Sequence, residues 1–281
     1  MAGKLFVVAT PLGNLGDISQ RALDTLRRVE MIACEDTRRT SRLLAAYEIR
    51  TPLLSCHRFN EQARLAGILD RLGRGDDVAL VSDGGTPVVS DPGGELIRAA
   101  VDAGVAVVPI PGGSAVTALL SIAGLSADRF VFDGFLPHRG GERRRRLREL
   151  RDETRPVVVF ESPRRIVATL EDVDRVLGRR PLVLGRELTK VHETVLRGTA
   201  LELIAALDRP VRGELTLLIA GTRPGDTPAA ERDADALRRA WGEALAGAGG
   251  DRRKALKDAA RALGLRRAEL HRRLVELGES V

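Results

Sequence analysis

Four charged residues that could take part in proton transfer lie just after two of the predicted strands. Glu35 and Asp36 follow the second apolar segment of the chain, and Lys190 and Glu193 follow a later one. A carboxylate can take the proton of a weakly acidic group, and an ammonium group can stabilise the negative charge that remains. These four are candidate catalytic residues, although Glu35 and Asp36 could instead cap the helix that follows them.

Three loops rich in Gly and Pro also follow predicted strands, where open α/β sheets bind ligands. They are TPLGNLGD (10–17), DGGTPVVSDPG (83–93) and PGGSA (111–115). Asp83 could accept hydrogen bonds from a ligand, and Ser114 begins a helix whose free amides could contact it. We expect Asp91 to cap the next helix. The first loop could be an ordinary turn, and GxGxxG, the usual dinucleotide fingerprint, is absent.

The elements that must position these loops alternate between short apolar strands and amphipathic helices, which predicts an α/β fold with mostly parallel sheets. Two lobes are expected, at residues 1–113 and 114–222, followed by a basic helical appendage at 229–281. The predicted strands are 5–9, 31–34, 53–55, 78–82, 106–110, 129–133, 156–160, 182–186 and 214–219. The predicted helices are 18–29, 40–47, 61–72, 94–103, 114–123, 143–153, 162–176, 200–206, 233–246, 252–263 and 267–277.

The composition predicts a folded cytoplasmic protein. The chain has 281 residues, of which 43% are hydrophobic, enough to bury a substantial core. No apolar run reaches the roughly 18 residues of a membrane span, so we expect no membrane association. The spacing of Cys34 and Cys56 argues against a disulfide framework or a zinc site. The pI of about 10.1 is typical of proteins with polyanionic partners.

The excess of positive charge is concentrated in two segments. Residues 136–155 contain eight Arg against four acidic residues, and residues 251–281 contain nine Lys and Arg against five. The first is a Gly-hinged basic loop that could close over a nucleic acid or simply be a solvated helix start. The second has the spacing of a helix-turn-helix-like pair. The candidate RNA contacts in the two segments are Arg143, Arg144, Arg145, Arg252, Arg253, Arg266 and Arg267.

A series of motifs, in order over residues 5–220, resembles the tetrapyrrole-methylase-like class of S-adenosylmethionine enzymes and, within it, the ribosomal small-subunit methyltransferase I group. The motifs are TPLGNLGDIS (10–19), CEDTRRT (34–40), HRFNE (57–61), SDGGTPVVSDPG (82–93), PGGSA (111–115), FESPRR (160–165), RELTKVHET (186–194) and GELTLLI (213–219). Gly84 and Gly113 depart from the family's usual Ala and Pro, which loosens two loops but keeps their amides.

This resemblance implies a two-lobed tetrapyrrole-methylase-like fold that binds S-adenosylmethionine between the lobes, needs no metal and is a homodimer. It implies methylation of a cytidine 2′-hydroxyl in 16S ribosomal RNA, either free or in the small ribosomal subunit. The residues that it implies for the cofactor are Leu12, Asp83, Thr86, Val88, Ser114, Ala115, Phe160 and Leu188. Arg38, in the polar cluster after the second predicted strand, is a further candidate RNA contact.

Two other functions remain open at this point. One is methylation of a corrin or porphyrin precursor, although a compact macrocycle needs neither the basic appendage nor the CEDTRRT segment. The other is a nucleic-acid-binding regulator that senses a ligand through the same loops without catalysis. The content of aromatic residues is only 3%, so contacts with phosphate should dominate RNA binding and make it depend steeply on salt.

Overall fold

Five parallel strands form the first sheet of the protein, which a computed structural model describes for residues 2–222 and 229–281, without the side chains of 229–233 and 235. The strands β1 to β5 are Lys4–Val8, Met31–Cys34, Leu53–Ser55, Val78–Val81 and Ala106–Ile110. Their order across the sheet is β3-β2-β4-β1-β5. Because all five run in one direction, the loops after their carboxyl ends gather at one edge.

Four helices cover both faces of this sheet. They are α1 to α4, at Gln20–Arg28, Thr37–Ala46, Glu61–Arg74 and Gly94–Asp102. Alternate residues of each strand point to opposite faces, so Ile32 packs with the α1 and α2 side while Ala33 packs with the α3 and α4 side. Every residue of β2 and β4 is buried, as expected for central strands of a covered parallel sheet.

The second sheet has the order β6-β7-β10-β8-β9. Its strands β6 to β10 are Val131–Phe135, Val157–Glu161, Leu182–Arg186, Thr194–Gly198 and Leu215–Ile219, and helices α5 to α8 are Ala115–Ile122, Gly140–Glu149, Ile166–Leu177 and Ala200–Ala206. Only β6 and β7 pair in parallel, whereas β10 is antiparallel to both neighbours and β9 is antiparallel to β8. The α/β class is confirmed, but the prediction of mostly parallel strands is wrong for this sheet.

The connections explain that difference. Strands joined by a helix do run in the same direction, as the alternation of elements predicted: β7 and β8 through α7, and β9 and β10 through α8. However, β10 is inserted between β7 and β8, and β8 turns directly into β9 without a helix. A turn without a crossover makes the neighbouring strand antiparallel. The sequence prediction also missed β9 itself, because it read that segment only for its polar residues.

The chain divides into two compact units, the first ending at Gly221 and the second beginning at Thr222. The second unit contains α9 to α11 at Ala229–Gly247, Arg252–Ala262 and Arg267–Glu276, which pack Trp241 with Leu256, Leu270 and Leu274 in a small core. The finer boundary predicted at residue 113 stays a prediction. Within the described residues, no helix has the length and apolar composition needed to cross a membrane.

Candidate active site

Hydrogen bonds join the three Gly- and Pro-rich loops at the carboxyl edge of the first sheet. Thr10 and Gly85 exchange backbone hydrogen bonds of 2.9 and 3.0 Å, which link the loop after β1 to the loop after β4. The Thr86 hydroxyl donates to the Gly113 carbonyl at 3.2 Å, which links the loop after β4 to the loop after β5. Gly85 has φ of +86°, a conformation that favours glycine. The three loops that sequence analysis singled out therefore lie together at this edge of the sheet.

These loops form one wall of a cavity of about 400 Å³, and residues from the second sheet form the other. Six of the eight residues expected to bind a cofactor line it: Leu12, Asp83, Thr86, Ser114, Ala115 and Phe160. Leu188 is instead buried over the backbone of Gly185, and Val88 packs against Gly93. The structure does not bring those two to the cavity wall, since neither side chain is among those that line it.

Asp91 lines the same cavity, and the expectation that it caps a helix is wrong. The N-cap of α4 is Gly93, which has no side chain to accept a hydrogen bond from the helix amides. Glu61 reaches across from α3 instead and accepts hydrogen bonds from the amides of Gly93 and Leu96, at 3.3 and 3.0 Å. This leaves the carboxylate of Asp91 facing the cavity. The sequence contained no direct signal for this exchange, because the cap comes from another helix.

Asp91 and Glu35 are both carboxylic acids with a raised pKa. Burial raises the pKa of Asp91 to about 6, and the charge of Asp83 adds to this effect against a hydrogen bond from Ser82. Burial also raises the pKa of Glu35, together with the charges of Asp83 and Asp91, while Arg39 opposes the shift. A carboxylate with a pKa near neutrality is suited to accept a proton under physiological conditions. Glu35, which sequence analysis proposed, therefore lines the same cavity as a second carboxylic acid of raised pKa that sequence analysis missed.

Asp36 has a different role in the structure, since it caps α2. Its carboxylate accepts from the backbone amide of Arg38 at 2.9 Å and from the Arg38 guanidinium at 2.7 Å. Those hydrogen bonds hold the pKa of Asp36 well below its usual range. The amide of Asp36 in turn donates to Asp83 at 3.0 Å, so this residue fixes the loop after β2 against the loop after β4. We therefore assign Asp36 to positioning.

Lys190 lies in an adjoining cavity that shares Leu12 and Asp83 with the first. Its ammonium group lies 2.8 Å from Glu187 and 3.2 Å from Glu214. Burial lowers the pKa of Lys190, but these two carboxylates outweigh it and the net pKa is raised. The group thus stays charged near neutral pH and is a source of positive potential, not a base. A Cβ on Gly13 would lie 2.1 Å from the Lys190 side chain, which explains the glycine there.

Glu193 does not line these cavities. It is exposed and accepts a hydrogen bond from the amide of Thr189 at 2.6 Å, so it stabilises the turn between β8 and β9. Glu187 and Thr189 in this turn have φ of +52° and +69°, which is unusual for residues other than glycine. Strained backbone of this kind persists only where the surrounding structure stabilises it. In this turn the strained residues flank the backbone that presents Lys190.

The arginines predicted to contact RNA differ widely in exposure. Arg143 is buried, with its guanidinium 2.6 Å from Asp172, so its prediction as an RNA contact is wrong. Arg144 is partly exposed and pairs with the other oxygen of Asp172 at 3.1 Å. Arg145 is exposed. The side chain of Arg38 is 83% exposed although it is paired with Asp36. The four remaining candidates are exposed on the second unit: Arg252, Arg253, Arg266 and Arg267.

The family described as Tetrapyrrole (Corrin/Porphyrin) Methylases matches residues 4–204. The chain is 44% identical over 228 residues to a protein of Synechocystis, covering 80% of this chain and 82% of that protein. It is 45% identical over 221 residues to one of Thermotoga maritima, covering 78% of this chain and 99% of that protein. Both carry the name ribosomal RNA small subunit methyltransferase I. The Thermotoga relative has no counterpart for about a fifth of this chain.

Solved structures share the fold at lower identity. A cobalt precorrin-4 methyltransferase has a TM-score of 0.59 at 19% identity, covering 77% of this chain and 94% of that chain. The uroporphyrin-III-C-methyltransferase of Thermus thermophilus has a TM-score of 0.55 at 21% identity, covering 79% of this chain and 93% of that chain. This likeness describes the architecture alone.

Proposed function

Because this chain belongs to the tetrapyrrole methylase family and, within it, to the ribosomal RNA small subunit methyltransferase I group, we propose that it transfers a methyl group from S-adenosylmethionine to the 2′-hydroxyl of a cytidine in 16S ribosomal RNA. The observation that carries the proposal is the cavity in which three joined loops meet two carboxylic acids of raised pKa. A ribose hydroxyl is a very weak acid, so its methylation needs a nearby proton acceptor.

The cavity fits the proposed cofactor in size and in chemistry. Its volume of about 400 Å³ lies within the range of small-molecule sites. Leu12 and Phe160 offer apolar surface for an adenine ring, and Thr86 and Ser114 offer hydroxyl groups. Asp83 and its neighbouring carboxylates create a negative potential that favours a cationic ligand. When bound, S-adenosylmethionine supplies a methyl group activated by a positively charged sulfur.

In the proposed reaction, residues of this chain accept the proton of the ribose hydroxyl and stabilise the negative charge that develops on its oxygen. Asp91 accepts the proton of the ribose hydroxyl, with Glu35 as the second candidate, since both line the cavity and have a raised pKa. Lys190 remains protonated and stabilises negative charge that develops on the hydroxyl oxygen. Asp36 and Glu193 hold the two loops that present these groups.

The exposed arginines supply the attraction for RNA. The second unit presents basic side chains on α10 and α11 around its apolar core, which suits contact with phosphate groups. We propose that this unit strengthens binding to ribosomal RNA or to the small subunit in the cytoplasm, and that the enzyme acts as a homodimer. The match of the family model to residues 4–204, all of them in the first unit, supports a division in which that unit carries the chemistry.

Nucleoside mass spectrometry tests the reaction directly. Small-subunit RNA from cells with and without the gene is digested, and the proposal expects the loss of one 2′-O-methylcytidine when the gene is absent. Methyl transfer to a corrin or porphyrin precursor and none to ribosomal RNA would reverse the assignment. Cofactor binding without turnover on either substrate would favour a ligand-sensing regulator.

A truncation tests the role of the second unit. Removal of residues 229–281 is expected to weaken RNA binding and to raise the KM for RNA, while the affinity for S-adenosylmethionine measured by calorimetry stays unchanged. Unchanged RNA affinity and methylation rate in the truncated protein would contradict this role.

A further inference from the structure

Phe59, in the loop between β3 and α3, is an aromatic side chain held almost entirely in solvent. Its side chain is 95% exposed, against 53% for Phe135 and 5% for Phe6. The chain has only eight aromatic residues, six of them Phe, so one placed fully in water is conspicuous. An exposed apolar ring contributes no burial energy to the fold, and its surface is available to a binding partner.

The loop that carries Phe59 is well held by hydrogen bonds. The side chain of Asn60 accepts from the amide of His57 at 2.7 Å and donates to the carbonyl of Ser55 at 3.2 Å. The amide of Phe59 donates to the His57 ring at 3.3 Å, and the two rings meet edge to face with centroids 6.2 Å apart. These hydrogen bonds hold the backbone that carries Phe59, so the loop presents the exposed ring to solvent at a defined place on the surface.

A groove of about 460 Å³ connects Phe59 to the candidate active site. Its rim carries Arg58 and Arg38, both exposed, and its floor includes Glu35 and Asp83. Those two carboxylates also line the cavity proposed for the cofactor. The ring and the two guanidinium groups thus border a groove that continues into the site of methyl transfer.

We propose that Phe59 is a platform on which a nucleobase of the substrate RNA stacks, with Arg38 and Arg58 contacting the neighbouring phosphates. The inference rests on the proposed function and specifies a subsite for its RNA. One exposed ring in a groove that also carries two arginines suits a base and its phosphates, whereas a protein interface requires a larger contiguous apolar area. Stacking would hold the strand so that one ribose enters the cavity shared with Glu35 and Asp83.

Kinetics of variants at Phe59 test the platform. Base stacking on an aromatic residue typically contributes about 5-fold to about 150-fold in affinity, so Phe59→Ala should lower kcat/KM for RNA by at least about 5-fold through KM. Phe59→Trp should be close to wild type and Phe59→Leu should stay impaired, because Leu restores bulk but not a ring face. Calorimetry should give the same affinity for S-adenosylmethionine in all variants.

Leu201→Ala is the matched control, since Leu201 is also an exposed apolar residue, on α8, and does not line the cavities. It should behave as wild type. Activity of Phe59→Ala within twofold of wild type, full rescue by Leu, or an equal loss of cofactor affinity would each overturn the stacking role.

Tryptophan fluorescence provides a test that does not depend on methyl transfer. The natural chain has a single Trp, the buried Trp241, whose response to RNA is measured in wild type and subtracted. Titration of Phe59→Trp with small-subunit RNA should quench the new fluorophore well beyond the change in wild type and in the control Leu201→Trp. Equal responses of the three proteins would refute the platform. If Phe59→Trp showed this quenching but neither it nor wild type methylated RNA, the proposed function would fail while the subsite stood.

Discussion

Carboxylates in the two halves of the first unit have different partners, although both halves are built from the same kinds of element. At the edge of the first sheet, Glu35, Asp83 and Asp91 lie around one cavity with Arg39 as the nearest guanidinium, 3.5 Å from Asp83. Within the part of the chain that the structure describes, neither Glu35 nor Asp91 forms an ion pair. The cluster therefore holds more negative charge than its protein partners neutralise.

Beside the second sheet, the two buried carboxylates Asp172 and Glu161 are each matched by arginine. Asp172 on α7 binds two guanidinium groups from α6, at 2.6 and 3.1 Å, and the buried Glu161 pairs with Arg165 at 2.8 Å and accepts from Thr169 at 2.6 Å. Charges that satisfy one another inside the fold stabilise structure, whereas charges left without a partner have perturbed pKa values and are available to a ligand. This difference in partners predicts that Asp172 and Glu161 stabilise the fold and that Glu35 and Asp91 act on a ligand.

The largest expected effect is a loss of stability when the carboxylate that pairs with a buried arginine is replaced. Asp172→Asn leaves Arg143 buried without its counter-charge, which should lower the free energy of unfolding by about 3–5 kcal/mol in urea denaturation. The exposed pair of Arg139 and Glu142 provides the control, and Glu142→Gln should cost less than about 1 kcal/mol. Similar small losses in the two variants would show that the buried pair is not structural.

Asp91→Asn is expected to have the opposite pattern, with a large loss of activity and no loss of stability. Loss of the proton acceptor should lower kcat by about 100-fold, measured with a methyl-transfer assay on ribosomal RNA. Because burial raises the pKa of Asp91, its neutral form stabilises the fold and that contribution is lost as pH rises through about 6. Asn stays neutral, so stability at pH 8 should be equal to or greater than wild type.

Asp102→Asn is the control for this experiment, since Asp102 is an exposed residue at the end of α4. It should leave both activity and stability unchanged. Wild-type turnover in Asp91→Asn would remove Asp91 as the proton acceptor and leave Glu35 as the candidate.

The pH dependence of the reaction sharpens the same assignment. With Asp91 as the acceptor, kcat/KM should fall about tenfold for each pH unit below about 6, because the carboxyl group is then protonated. Asp91→Asn should lose this inflection in its residual activity. A wild-type profile that is flat between pH 5 and pH 8 would contradict the role of a carboxylate with a raised pKa.

Local patterns predicted the first sheet, and the family resemblance predicted much of its site. Strand β2 lies at the predicted residues, and the three Gly- and Pro-rich loops meet at one edge because they follow strands of a parallel sheet. Six of the eight residues that the resemblance implied for the cofactor line the cavity. Long-range pairing was not predictable in this way. Nothing in the local sequence places β10 between β7 and β8, or assigns the α4 cap to Glu61 instead of Asp91.

The burial of Arg143 did have a signal in the sequence. Arg143 precedes the buried Leu147 by four residues, so both lie on the face of α6 that packs against α7. The sequence prediction treated the consecutive arginines as one basic group. Helical phase separates them, since Arg145 points away from that face and is exposed.

The smallest expected effect follows from that separation within α6. Arg145→Ala should weaken binding to small-subunit RNA by about two- to fivefold and reduce the slope of log affinity against log salt by about 1, because one phosphate contact is lost. Its thermal stability should match wild type. Arg145→Lys keeps the charge and should retain most of the affinity. If Arg145→Ala bound RNA with an unchanged salt slope, Arg145 would make no phosphate contact. Helix α6 would then be a solvated structural helix, and its arginines would have no part in RNA binding.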